Sequence, residues 1–174
     1  MRSRFLTENK WLLRLCSGAA RFCGLLLLLG TGVLAAVMAV VTMSDSKGLG
    51  AMTEAHSELL LAIPHILFYA FLALILAEFI SYLLAEQGEP KWILRHGDKI
   101  IYAYVLYTIV MAIISVAQLR AVDREMGPVV SLRERHLWLA FTIAFIVVRI
   151  LIWIGIAIAL RKVVPIIRES KTLV

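Results

Sequence analysis

The sequence predicts an all-α integral membrane protein, with four transmembrane helices in an up-down bundle and both termini cytoplasmic. Three observations carry that expectation. Four long apolar runs, at 22–41, 59–84, 100–119 and 137–160, make up about half of the chain, and each is close to the 20 or so residues a helix needs to cross a bilayer core. Only two acidic or basic residues interrupt them, Glu78 and Arg149. The lysines and arginines outside the runs sort by side. The N-terminal tail, the second loop and the C-terminal tail together carry twelve, and the first and third loops carry five. The positive-inside rule then places both termini in the cytoplasm.

The composition agrees. Of 174 residues, 61% are hydrophobic and 17% charged, against about 45–50% and about 25% in an ordinary soluble domain. Spans of 22–43, 59–86, 99–119 and 134–161 leave only short connections, so positions 1–174 read as a single four-helix transmembrane domain. Strands of a membrane barrel alternate over about ten residues, and the stretches 25–29 and 145–152 do not alternate. A net charge of +6 would suggest nucleic acid in a soluble protein. Here the bases cluster at the ends of apolar runs, with no aromatic-interleaved basic surface, and no nucleic-acid partner is expected.

The N-terminal tail holds Phe5, Trp11, Leu12, Leu15 and Phe22 among the bases Arg2, Arg4, Lys10, Arg14 and Arg21. It reads equally as an amphipathic helix in the membrane interface, with its bases near anionic head groups, or as a continuous extension of the first span. The first run is longer than a signal-peptide core of about 7–15 residues and is read as a retained span. Cys16 and Cys23 are seven apart, about 10 Å along a helix, too far for an intrahelical disulfide. Membrane-proximal cysteines of this kind are acylation candidates in a eukaryotic chain.

The first loop, with Ser44, Asp45, Ser46, Lys47, Gly48 and Gly50, is short and polar, and the second span begins near Thr53 or Ser57. Pro64 removes a backbone bond near its outer end. Gly88 and Pro90 stop the helix. Before the fourth run, Ser131 and Glu134 have capping-box spacing, which places the start of the last helix near Leu132. Pro165 follows that run. Trp11, Trp92 and Trp138 fall at the expected interfaces.

The candidate polar site comes from depth. Arg149 lies at the centre of the fourth run, and Glu78 lies about 6 Å from the centre of the second, counted from Pro64 to Leu84, toward the cytoplasm. A lone charge at mid-bilayer costs at least about 2.5–3.5 kcal/mol, so each is expected to pair with the other. In the third run Tyr104, Thr108, Met111, Ser115 and Gln118 form one helical stripe, with Tyr107 beside it. Tyr107 or Thr108 is expected to hydrogen-bond Glu78 or Arg149. The plainer reading is a clamp that fixes helix packing; the functional ones are a proton or ion path, or an anionic ligand on Arg149.

Small-residue pairs at four-residue spacing, Gly32 with Ala36 and Ala35 with Ala39 in the first run and Gly155 with Ala159 in the fourth, are expected to let helices approach closely. His65 and His136, on two spans at one side, are the weak candidates for a haem b. Their depths differ, about 13 Å and about 19 Å above the centre, so no cofactor is expected. His56, with Glu54 and Glu58, could share a helical turn around a divalent cation, but a solvated helix start is the simpler reading. His96 reads as a surface residue, and no zinc-type spacing is present.

No nucleophile–base constellation and no phosphate loop occurs. The sequence is therefore read as a non-enzymatic subunit of the bacterial cytoplasmic (inner) membrane. It would scaffold, stabilise or regulate a larger membrane protein assembly, or self-associate, with the lipid bilayer and other membrane subunits as partners. The alternatives are a small oligomeric channel or transporter built on Glu78 and Arg149, and a haem-b electron carrier.

Overall fold

The computed structural model describes residues 8–44, 54–85, 88–126 and 132–172. Among these, 94% are helical and none is in a strand. The elements are α1 (Lys10–Ser44), α2 (Glu54–Leu84), α3 (Trp92–Arg95), α4 (Gly97–Met126) and α5 (Leu132–Thr172). Four of them contain stretches long and apolar enough to cross a membrane: Lys10–Val40, Leu61–Leu84, Gly97–Ala117 and Leu139–Lys171. The chain divides into two compact units, Met1–Gly97 with Val163–Val174, and Asp98–Lys162.

In the first unit α1 packs along α2. Ser17, Gly24, Thr31 and Met38 are the buried residues of α1 among those described, each seven after the last. A seven-residue spacing falls about 20° short of whole turns, so the stripe winds slowly around the helix and keeps a left-handed contact in register. Three of the four are small, which lets the backbones close up. On α2 the matching residues are Ala70 and Ala77, both fully buried. The Ser17 hydroxyl donates to the Ala77 carbonyl at 2.9 Å. A Cβ on Gly24 would lie 2.8 Å from Leu74 Cγ and 3.0 Å from the Ala70 carbonyl oxygen. Positions rise by seven on α1 as they fall by seven on α2, so the two helices are antiparallel.

α2 has a second buried stripe, also at intervals of seven: Phe68, Ile75 and Tyr82. Ile75 meets Gly97, where an added Cβ would come within 3.3 Å of the Ile75 side chain. The turn after α2 uses Gly88 at φ +132°, a backbone setting open to glycine and strained for other residues. It leads through Glu89, Pro90 and Lys91 into α3, whose Leu94 is buried.

Two expectations about helix length resolve here. The basic tail and the first span form one continuous helix from Lys10. The last helix starts at Leu132 and runs beyond Leu160, as the sequence suggests, and it continues through Pro165 to Thr172. Its final turns are fastened within the first unit: Val164 is buried, Arg168 pairs with Glu89 at 2.6 Å, and the Lys171 ammonium donates to the Tyr82 carbonyl while lying 3.8 Å from the centre of the Tyr82 ring. These contacts offset the backbone bond that proline forfeits.

In the second unit α4 buries Ile101, Tyr104, Val105 and Thr108, the i, i+3, i+4, i+7 face of a helix. The part of α5 that belongs here is mostly exposed. Phe141, Phe145, Val148, Leu151 and Ile152 lie open, and Ala157 is buried. Ser131 lies outside the described residues, as do the side chains of Glu54, His56, Glu58, Gln118, Glu134, His136 and Trp138.

Candidate functional site

The intramembrane acid is held inside the first unit. Arg21 Nη2 donates to Glu78 Oε1 at 2.7 Å, and Lys91 Nζ lies 3.0 Å from both Glu78 carboxylate oxygens. The Glu78 side chain is only 12% exposed, whereas those of Arg21 and Lys91 are 44% and 66% exposed. Beneath the ion pairs runs a chain of hydroxyls. Arg21 Nη2 also reaches Ser81 Oγ at 3.4 Å, and Ser81 Oγ lies 2.7 Å from Ser17 Oγ. Because Ser17 spends its single proton on the Ala77 carbonyl, Ser81 must be the donor between the two serines. The order of donation is Arg21 to Ser81 to Ser17 to the α2 backbone.

The sequence points to Arg149 as the partner of Glu78; the cations that meet its carboxylate within the first unit are Arg21 and Lys91. Glu78 takes its cations from Arg21, one turn along α1 from Ser17, and from Lys91, carried in by the Gly88–Pro90 turn. A side chain on a helix leans toward the N-terminus of that helix. This tilt brings the Arg21 guanidinium back to the level where Ser17 meets Ala77 and Ser81. Counting Arg21 as part of a tail hid it, because α1 already carries that residue on the face it turns to α2.

Arg149 is met in the second unit by a residue of the polar stripe. Its Nη2 donates to the Tyr104 hydroxyl, and its guanidinium carbon lies 5.6 Å from the Tyr104 ring centre. Trp153, one turn after Arg149 on α5, stands edge-on to the Tyr104 ring at 6.4 Å and 89°. Tyr107 flanks the same ring at 6.3 Å. Thr108 is buried, but its hydroxyl turns back to the Tyr104 carbonyl at 2.9 Å. A hydroxyl satisfied by the preceding turn of its own helix is the common state for Thr in a helix interior. Tyr104, legible as a member of the stripe, is thus a hydrogen-bond partner of Arg149.

Gly32, Ala36, Gly155 and Ala159 are exposed, and a Cβ on either glycine would meet nothing within 4 Å. Gly24, seven residues before Thr31, is the glycine that α1 puts against α2. His65 lies on α2, partly buried; the haem pairing with His136 involves a side chain outside those described. His96 Nδ1 lies 3.0 Å from the Trp92 carbonyl oxygen, and its ring stacks on Trp92. Cys16 and Cys23 are free and exposed. The described His, Cys, Asp and Glu residues form no group of three placed to hold a metal ion. Comparison with models of known protein families, with characterised proteins and with solved structures gives no match.

Proposed function

We propose that this chain is a non-enzymatic integral membrane subunit that scaffolds, stabilises or regulates a larger assembly, or self-associates, in a bacterial cytoplasmic membrane with both termini in the cytoplasm. The observation that carries the reading is the contrast between its polar groups and its small-residue faces. Glu78 is occupied by Arg21 and Lys91, Arg149 by Tyr104 and Thr108 by its own helix. These contacts hold helices in place. The surfaces left open are apolar and small: Gly32 with Ala36 on α1, and Gly155 with Ala159 on α5 beside exposed Leu151, Ile152, Ile156 and Ile158. Small residues at four-residue spacing permit close backbone approach between helices in lipid, where dispersion contact rather than the hydrophobic effect drives association.

Crosslinking in native membranes, followed by gentle extraction and sizing, tests this. The expected result is a discrete complex, homomeric or mixed, that Gly155→Leu disperses while the monomer stays folded. A chain that is strictly monomeric in its native membrane would overturn the reading.

A further inference from the structure

We propose that the face of α1 preceding its apolar run, together with Lys91, is a binding site for an anionic phospholipid. The phosphate would sit between Arg14, Arg21 and Lys91, and an acyl chain would lie along Phe22, Leu25 and Leu29. This is independent of whether the chain serves as a subunit of a larger assembly.

The first ground is an unbalanced charge. Two cations, Arg21 and Lys91, share the single carboxylate of Glu78, which leaves the cluster one positive charge in excess. Both of Arg21's hydrogen bonds leave from Nη2. Its Nε and Nη1 donate to nothing among the described residues, on a side chain 44% exposed. Lys91 is more exposed still. Glu78 fixes the two bases side by side, so little side-chain entropy remains to be lost when an anion arrives. Arginine presents a planar fork of donors that matches a phosphate.

The second ground is a third base in register. Arg14 is exposed and lies seven residues before Arg21, about 10 Å along the helix and within about 20° of the same face. Two long side chains can converge on one headgroup across that distance.

The third ground is the surface beside the bases. An open groove of about 850 Å³ runs along α1, lined by Trp11, Arg14, Leu15, Gly18 and Phe22 among others. Gly18 opens it, since a Cβ there would meet nothing within 4 Å. The groove leads onto exposed Phe22, Leu25, Leu26 and Leu29, at the beginning of the apolar run. A free phosphate would use only the basic edge. A cationic edge that continues into an apolar groove is complementary to an amphiphile with a negative head.

The test uses the full chain in neutral detergent, with bound lipid counted by native mass spectrometry. Phosphatidylglycerol and phosphatidylcholine of the same acyl chains are compared, each with and without millimolar inorganic phosphate. Phosphatidylglycerol should be retained in clear preference to phosphatidylcholine. Removing one base, as Lys91→Gln or Arg14→Gln, should weaken that retention about five-fold, and the double variant about thirty-fold, from the usual attraction of one basic side chain to an anionic surface. Both positions are exposed, so the helix packing stays intact; Arg21 is left unchanged because it also holds α1 to α2. Gly18→Leu, which fills the groove and keeps every charge, should also lower retention. Equal retention of the two lipids, or a double variant that binds phosphatidylglycerol as the parent does, would overturn the proposal. So would complete displacement by inorganic phosphate, which would assign the bases to a free anion.

Discussion

Glu78 illustrates how one carboxylate can be worth more than the pairs it makes. Arg21 and Lys91 both bond to it, yet they differ in exposure, and so the cost of losing each differs. Lys91 is 66% exposed, where an ion pair contributes about 0–1 kcal/mol. Lys91→Gln should therefore leave the unfolding midpoint in detergent nearly unchanged. Glu78→Gln removes the negative charge common to both bases, one of them bonded at 2.7 Å, and puts an NH2 donor in place of one carboxylate oxygen. It should lower stability by about 1.5–3 kcal/mol, the usual worth of a hydrogen bond to a charged group. An equal shift for the two variants would show that Glu78 is not the hub of this cluster. Tyr82 points the other way. Its hydroxyl is buried without a hydrogen-bond partner among the described residues, and a buried unpaired hydroxyl costs about 1–3 kcal/mol. Tyr82→Phe keeps the ring under Lys171 and should raise the unfolding midpoint; a lowered midpoint would reveal a bond to the hydroxyl. That Glu78 and Arg149 would need partners could be read from sequence alone, because charge in an apolar run is conspicuous. Which partners they take could not, since that depends on helix rotation and on where the Gly88 turn delivers Lys91.

At the scale of the element, α1 owes its contact with α2 to a repeat of seven rather than to the four-residue pairs that first draw the eye. Gly32 and Ala36 satisfy the small-xxx-small rule and are exposed; Gly24, a member of the seven-residue stripe, sits against Leu74 and the Ala70 carbonyl. Gly24→Leu should force α1 from α2 and destabilise the chain by at least about 1–3 kcal/mol, the usual cost of overpacking. Gly32→Leu should leave the monomer's unfolding unchanged. Thermal or detergent unfolding of the two variants side by side distinguishes them, and equal losses would mean that the contact does not depend on Gly24. The existence of four long helices was legible because unbroken apolarity is hard to mistake for anything else. The extent of α5 was not, because its last turns persist past Pro165 through Arg168 and Lys171, whose partners Glu89 and Tyr82 lie about eighty to ninety positions earlier.

At the scale of the molecule, the division into two compact units and the sorting of bases make sidedness the next measurable property. Lys91 and Lys171 are both anchored in the first unit, on α2's carboxylate and carbonyl respectively. Lys10 begins the helix that lies antiparallel to α2. A membrane-impermeant amine reagent should therefore modify Lys10, Lys91 and Lys171 from one face of sealed vesicles, and Lys47 only from the opposite face. Labelling of Lys47 together with Lys91 would contradict an up-down arrangement of the first two spans. Fold class could be read because bilayer thickness dictates helix length. The grouping of helices could not, because lipid and protein contacts reward the same apolar side chains.

The Arg21–Glu78 contact bears on how the chain is made. Synthesis runs from the N-terminus, so Arg21 enters the membrane boundary with α1 before Glu78 leaves the ribosome. An acid inserted by itself would meet the full penalty of a bare charge in hydrocarbon. Here it arrives as the second arm of a helical hairpin whose first arm already presents a guanidinium at the matching level. The order of the residues along the chain thus provides the cation before the anion that needs it, and the hairpin can begin its neutralisation during insertion.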